Sequence, residues 1–531
     1  MQNLNTNLFS ARNRQAEFLA EDIVRKGLGK IGYFESADEV FGGETEGEAV
    51  SVFLISEDEK KNLRDALVVL EQCKNRSESK VKVYVFTSSE VARTVLDSED
   101  PGCAEIILIH PGELMAQKLM LDHPLYEAPD RIGADELRVT IIGGGSDVPV
   151  LSKTVHWCGR MKSYIMKINI IGPHAAHLET EMKWRCPGLF TQMSQENLAM
   201  QERHLITPEL YLPLKLTRTL YYQADTSSEE LELALDKCLN SNYIIIDEGD
   251  DEETLRTAMA VRAHFVRKYV LHENFLTGGP VDVTKLPDIC VLIRDEILSD
   301  RVRGLKVEGH PSDPGNDELG FVPFGAWRDL YTVENIIDTD TEKLAKALFP
   351  QEFTEDEDGK AGKQLPVSVR RMLFAATVHL KYKMRDMGFV RAGENDELYC
   401  RERFPEICDA GAAMIEARLE DFKYELAALE HQRWAIYKLR DGWIPADADH
   451  ALGYGRLIGE GIREHRQFAG KMNAACIEVS RLSGAGTKLC GKPSYFTETD
   501  RITGRATYST IKAVCPDVRY RYILNDEEED D

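Results

Sequence analysis

Val139-Thr-Ile-Ile-Gly-Gly-Gly-Ser-Asp147 runs from an apolar stretch through three glycines into a segment with helical spacing. Glycines at such a turn let backbone N–H groups approach an anion, and the following helix adds the positive end of its dipole. Gly143, Gly144, Gly145, Ser146 and Asp147 are therefore candidates for holding a phosphate or pyrophosphate. Gly143 and Gly145 fill the first two places of the dinucleotide pattern, and Val148 stands where the third glycine belongs. The next apolar run ends Ile171-Gly172-Pro173-His174, without the carboxylate that would hold a ribose. Two readings stay open: a nucleotide cradle, and a glycine turn kept for close packing of strand on helix.

A second candidate loop lies near the start, at Leu8-Phe-Ser-Ala-Arg-Asn-Arg14. It has no glycine, so Arg12, Asn13 and Arg14 would have to meet a phosphate through their side chains. Glu35 closes the following strand, about where a ribose-binding carboxylate belongs. The alternative is a lobe adapted for dimerisation. The acidic turns Glu57–Glu59 and Asp250–Glu253 invite a metal, but Asp and Glu gather at helix N-termini because they cap them and oppose the dipole. His174 and His177 lack the spacing of a helical zinc pair.

These loops need elements to hold them, and part of that framework is written twice. Ile55-Ser-Glu-Asp-Glu-Lys-Lys-Asn-Leu-Arg-Asp-Ala66 follows the apolar run Val50–Ile55, and Asp247-Glu-Gly-Asp-Asp-Glu-Glu-Thr-Leu-Arg-Thr-Ala258 follows Tyr243–Ile246. In register, Leu63-Arg64 meets Leu255-Arg256 and Ala66 meets Ala258: strand, acidic turn and amphipathic helix recur. Apolar runs at Ile31–Phe34, Val50–Ile55, Val81–Phe86 and Glu105–Ile109 alternate with helical patterns at Ala16–Val24, Lys61–Gln72, Glu90–Leu96 and Glu113–Leu121. Such alternation predicts an α/β fold with a parallel sheet. The scheme repeats at Val139–Ile142, Lys167–Ile171, Leu220–Gln223, Tyr243–Asp247, Ile289–Arg294 and Val333–Asp338. Ile106–Ile109 with Glu113–Leu119 then parallels Val333–Ile337 with Thr341–Leu348.

The expected organisation is a shortened Rossmann-like domain at 1–128, a second with insertions at 129–350, a linker at 351–366, a mainly α-helical domain at 367–524 and an acidic tail at 525–531. Trp184–Leu214 and Gly304–Gly325 read as excursions from the second domain. A formal charge of −25 excludes a nucleic-acid backbone as the expected partner. Eleven cysteines without C-x-x-C spacing predict free thiols in a reducing, cytoplasmic setting. No apolar run reaches the roughly 18–20 residues of a membrane helix.

With these residues in view, the second lobe resembles the TrkA-N domains, the Rossmann lobes of RCK proteins that regulate potassium conductance. The resemblance is carried by Val139–Gly145, Leu220-Tyr-Tyr-Gln-Ala-Asp225-Thr with Leu231–Leu239, Tyr243-Ile-Ile-Ile-Asp, and Asp250-Asp-x-x-x-Leu255. His123-Pro-Leu-Tyr126 after the first lobe is similar too, and together the likeness spans roughly 1–350. The family reads Gly-Asp where this chain has Ala224-Asp225, near the bound adenosine, which implies Asp225 as a ligand contact. It also implies NAD(H), ATP, ADP or a cyclic nucleotide as ligand, pairing of lobes into a homodimer or larger ring, and gating of a separate membrane channel or transporter. Further on, Leu426-Ala-Ala-Leu-Glu-His431-Gln-Arg-Trp434 with Gly442-Trp443 resembles the RyR module. That likeness implies a pocket of His431, Trp434 and Trp443 able to stack a base or hold a cation, and the alternative is the core of a small domain.

The expected function is therefore a nucleotide-sensing regulator, in ion transport or in signalling or defence, with no catalytic residues. An NAD(P)-dependent oxidoreductase and a structural assembly protein with non-binding lobes are the alternatives.

Overall fold

The computed structural model of the chain describes residues 5–41, 49–74, 76, 81–186, 217–269, 286–303, 321–348, 365–386, 389–391, 429, 433, 436, 437, 440 and 522–524. They fall into two compact units, Met1–Asp122 with Leu292–Ala375, and His123–Val291 with Ala376–Asp531.

The first unit opens with β1 (Thr6–Phe9), α1 (Arg14–Arg25), β2 (Lys30–Tyr33), β3 (Val50–Leu54), α2 (Glu59–Lys74), β4 (Val81–Phe86), α3 (Glu90–Ser98), β5 (Ala104–Ile109) and α4 (Pro111–Asp122). The strands form a parallel sheet in the order β2-β1-β3-β4-β5. Central strands of a parallel sheet are covered on both faces, which is why β3 and β4 are nearly unbroken apolar runs. One face carries Val50, Val52, Leu54, Val81, Val83 and Val85, which meet Ala66, Val69 and Leu70 of α2. The other carries a ladder of rings: Phe9 on Phe53 at 4.7 Å, and Phe53 on Tyr84 at 4.6 Å between centroids.

The second unit holds α5 (Glu127–Ile132), β6 (Glu136–Ile142), α6 (Val148–Cys158), β7 (Ile165–Gly172), α7 (Ala175–Arg185), β8 (Thr217–Gln223), α8 (Glu229–Asp236), β9 (Tyr243–Ile246), α9 (Asp251–Tyr269) and β10 (Asp288–Leu292). Its strands run β8-β7-β6-β9-β10, all parallel. This is the order of a Rossmann-type sheet, with the reversal between β6 and β9. Both sheets are thus parallel α/β, as the alternation predicts.

The duplicated phrase folds alike in the two units. The Ser56 N–H donates to Asn62 Oδ1 at 2.8 Å, and the Glu248 N–H donates to Thr254 Oγ1 at 3.1 Å, each pair six residues apart. Asp58 accepts from the Lys60 N–H, and Asp250 accepts from the N–H groups of Glu252 and Glu253. These aspartates cap their helices.

The expected strand at Val333–Asp338 is corrected. The first unit is completed by α10 (Glu296–Arg303), β11 (Phe321–Phe324), α11 (Trp327–Leu330), α12 (Val333–Ile336) and α13 (Asp340–Leu348). Val333–Ile336 is helical because Thr332 accepts from the Asn335 N–H, and because Val333 and Ile336 are buried together at helical spacing. The strand is Phe321–Phe324, inside the stretch read as an excursion, so the proposed recurrence of the closing strand and helix does not hold. Residues 304–320 of that stretch, 351–364 of the linker, the tail 525–531 and 187–216 lie outside the described residues. Of the helical region expected at 367–524, the structure describes Val367–Val378 and Leu380–Asp386 as helices.

Within the first unit, Asp22 fastens α1 to α12. It is 5% exposed, accepts from the Val333 N–H at 2.8 Å, and pairs with Arg25 and with Lys26. Burial works against the charge, but the Val333 N–H and the two cations outweigh it and hold the Asp22 carboxyl below the ordinary range. A lowered pKa stabilises the fold above the unfolded value of about 3.9 and ceases to as pH falls through the folded value. Stability measured by urea melts should therefore drop on acidification below about pH 4, and Asp22→Asn should flatten that drop. Asn62 is fully buried and also donates to the Ser56 and Phe86 carbonyls. Asn62→Ala should cost about 3 kcal/mol, because it strands the buried Phe86 carbonyl and two partly buried backbone groups of Ser56; a loss under about 1 kcal/mol would show that water replaces the amide.

Candidate functional site

In an open parallel sheet the two loops leaving the strands at the order reversal diverge, and the crevice between them is where ligands sit. In the second unit those loops are Gly143–Asp147, after β6, and Asp247–Asp250, after β9. Gly143 has φ +130, and a Cβ there would stand 1.9 Å from the Asp247 carbonyl oxygen, so only glycine fits. A Cβ on Gly172, at the end of β7, would stand 2.2 Å from the Gly143 oxygen. The glycines thus serve close approach of three strand ends.

The loop's N–H groups are already engaged. The Gly143 N–H donates to the Ile171 carbonyl at 2.8 Å, and the Gly145 N–H to the Asp247 carbonyl at 2.9 Å. The Gly144 N–H donates to Glu248 Oε2 at 3.2 Å, and the Asp147 N–H to Asp247 Oδ2 at 3.1 Å. Asp247 is 2% exposed, and its other oxygen accepts from the Gly249 N–H. Glu248 in turn accepts from the Thr257 hydroxyl on α9 at 2.9 Å. Two carboxylates of the protein therefore take the hydrogen bonds that phosphate oxygens take in an anion-binding turn. Ser146 is exposed at the tip.

Behind the loop, α6 is held by His156, whose ring bonds the Ser152 carbonyl and the Thr219 hydroxyl of β8. Burial pushes this imidazole down to about 4, so it is neutral and structural. Asp225 stands just past β8, exposed, with Oδ1 accepting from the N–H and hydroxyl of Ser227; those bonds hold its carboxyl below the ordinary range. The hydrogen bonds of Asp225 run to Ser227, Ser228 and Glu230 and not to the glycine turn.

In the first unit the equivalent loop is closed by a side chain. Asn13 Nδ2 donates to the Ile55 carbonyl at 2.7 Å, and its Oδ1 caps α1 by accepting from the Ala16 N–H at 2.9 Å. Ile55 is the counterpart of Asp247, so the Asn13 amide does what the Gly145 N–H does in the second unit. Arg14 pairs with Glu296, and Arg12 lies over the Tyr33 ring at 4.6 Å. Glu35 is exposed beyond β2, the neighbour of β1. Of the residues expected to meet phosphate here, Asn13 and Arg14 are committed to the protein itself.

His431, Trp434 and Trp443 lie outside the described residues. The residues that sequence reading missed are Asp247 and Glu248 as partners of the glycine turn. The signal available was an aspartate placed directly after the wholly apolar Tyr243–Ile246. Among the described residues no group of three or more His, Cys, Asp or Glu could hold a metal ion, and no helix is long and apolar enough to cross a membrane.

No protein-family model matches the chain, and no curated protein matches it. Among solved structures, the chain is similar to the apo-structure of D-lactate dehydrogenase from Escherichia coli, at 10% identity and a TM-score of 0.19, over 66% of this chain and 97% of that one. Salmonella D-lactate dehydrogenase is similar at 10% identity and a TM-score of 0.19, over 62% of this chain and 95% of that one. Likeness at that level carries no argument about function.

A Cβ on Gly145 would stand 2.0 Å from Asp247 Oδ1. Gly145→Ala should therefore destabilise the protein by about 2 kcal/mol. Combined with Asp247→Ala, the two losses should fall short of additive by about 1 kcal/mol. Additive urea-melt values would show that the loop and the carboxylate do not touch.

Proposed function

We propose that the second unit binds a nucleotide (NAD(H), ATP, ADP or a cyclic nucleotide) at the turn Gly143–Asp147, where it meets Asp247–Asp250, and that the protein is a ligand-sensing regulator of the RCK type. The observation that carries this reading is the glycine turn's place at the reversal of strand order between β6 and β9. A phosphate would take the Gly144 N–H from Glu248. Released from the loop, Glu248 would rearrange against Thr257, so that occupancy of the turn is felt on α9. A ligand that favours one arrangement of that contact shifts the population of states, which is what a sensor requires. Asp225 would face the nucleoside end. Under the same reading the region holding His431, Trp434 and Trp443 carries the output to a partner, such as a membrane channel or transporter, and the lobes assemble as a homodimer or larger ring.

The test begins with denaturing the purified protein and identifying any released nucleotide by mass spectrometry. Thermal shifts with NAD, NADH, ATP, ADP and cyclic dinucleotides follow, where saturation at 100 times Kd stabilises by about 2.7 kcal/mol. Glu248→Gln should tighten binding several-fold, since a neutral amide competes less well for the Gly144 N–H. Gly144→Asp should weaken it at least tenfold by setting a carboxylate in the phosphate's place. No shift with any of these ligands, or equal shifts in both variants, would refute the reading.

A further inference from the structure

Two thiols of the first unit meet away from either loop. Cys73 is the penultimate residue of α2, and Cys103 immediately precedes β5. Between them the chain doubles back so that Gly102, at φ +60, lies on the last turn of α2. A Cβ added to Gly102 would stand 2.8 Å from the Cys73 carbonyl carbon and from the Lys74 nitrogen. Both cysteines face the apolar cluster of Val69, Leu70, Val81 and Ala104: Cys73 is part of it, and Cys103 packs against it, partly buried. Cys73 is wholly buried, while Cys103 is partly exposed. Burial and the adjacent Cys103 thiol push Cys73 up to about 12, so it remains protonated at neutral pH. The other described cysteines, Cys158, Cys186, Cys238 and Cys290, are buried, and Cys186 donates to the Arg440 carbonyl at 2.8 Å. Cys73 and Cys103 share one apolar cluster at the end of α2.

We infer that Cys73 and Cys103 are a reversible dithiol–disulfide modification site, oxidised by a hydroperoxide that reaches Cys103 first. The Cys103 sulfur attacks one peroxide oxygen; the O–O bond breaks, and the other oxygen leaves as water with the thiol proton. Cys103 is left as a sulfenic acid. The Cys73 sulfur then displaces the hydroxyl from the Cys103 sulfur, forming the S–S bond and releasing a second water with the Cys73 proton. Two electrons pass from the thiol pair to one peroxide, and a dithiol reductant reverses the change by exchange. The bond ties the end of α2 to the start of β5.

The experiment treats the full chain with stoichiometric hydrogen peroxide and maps its peptides by mass spectrometry before and after reduction. One linked peptide pair, Cys73 with Cys103, is expected, and it should vanish on reduction. In Cys73→Ser the sulfenic acid should persist at Cys103 and be captured by dimedone; Cys103→Ser should give neither product. In the wild type, oxidation should raise the melting temperature by several degrees, because the link constrains the unfolded chain. Dimedone capture or over-oxidation at Cys103 in the wild type with no linked peptide would overturn the inference. So would a link between other cysteines formed in preference. The wild-type peptide map decides the matter even where a variant fails to fold.

Discussion

Where the strand order of each sheet reverses, the chain leaves neighbouring strands in opposite directions. The backbone carbonyl just past the central strand then loses its ladder partner. Buried carbonyls need donors, and the rest of each loop is arranged around supplying one. In the second unit the Asp247 carbonyl receives the Gly145 N–H, and in the first the Ile55 carbonyl receives the Asn13 side chain. One requirement has been met by backbone in one copy and by side chain in the other.

That choice decides what else each loop can do. A backbone donor demands that the turn come within touching distance of β9, which explains the glycines at 143 and 145 and the glycine at 172 that makes room beside them. A side-chain donor reaches further, so the loop 10–13 keeps ordinary residues and spends Asn13 on a carbonyl and a helix cap together. The first loop is thereby finished as structure. The second keeps two N–H groups, of Gly144 and Asp147, whose partners are carboxylate side chains, and the exposed one at Gly144 can be exchanged.

Much of the framework was legible from apolar runs, because parallel strands covered on both faces need little else. β1 was not, since Thr6-Asn-Leu-Phe9 is four residues long with a buried asparagine in it. Phe321–Phe324 was hidden by glycine- and proline-rich surroundings, and Val333–Asp338 read as a strand because Val333, Ile336 and Ile337 are branched and apolar. The acidic turns were legible as caps, and Asp58 and Asp250 are caps. Asp247 and Glu248 were not legible as partners of the glycine turn, because that pairing joins residues about one hundred positions apart. Local spacing carries no trace of it until strand adjacency is known.

The Glu248 carboxylate has a quantitative consequence for the proposed sensor. A tethered side chain competes for the Gly144 N–H at an effective concentration set by its short reach, in the millimolar range or above for flexible tethers. An incoming anion meets an occupied position, so its apparent affinity is lowered by the fraction of time Glu248 is away. The glutamate would then set a threshold: sparse anions leave the turn closed, and only a ligand that is abundant, or held by further contacts, opens it.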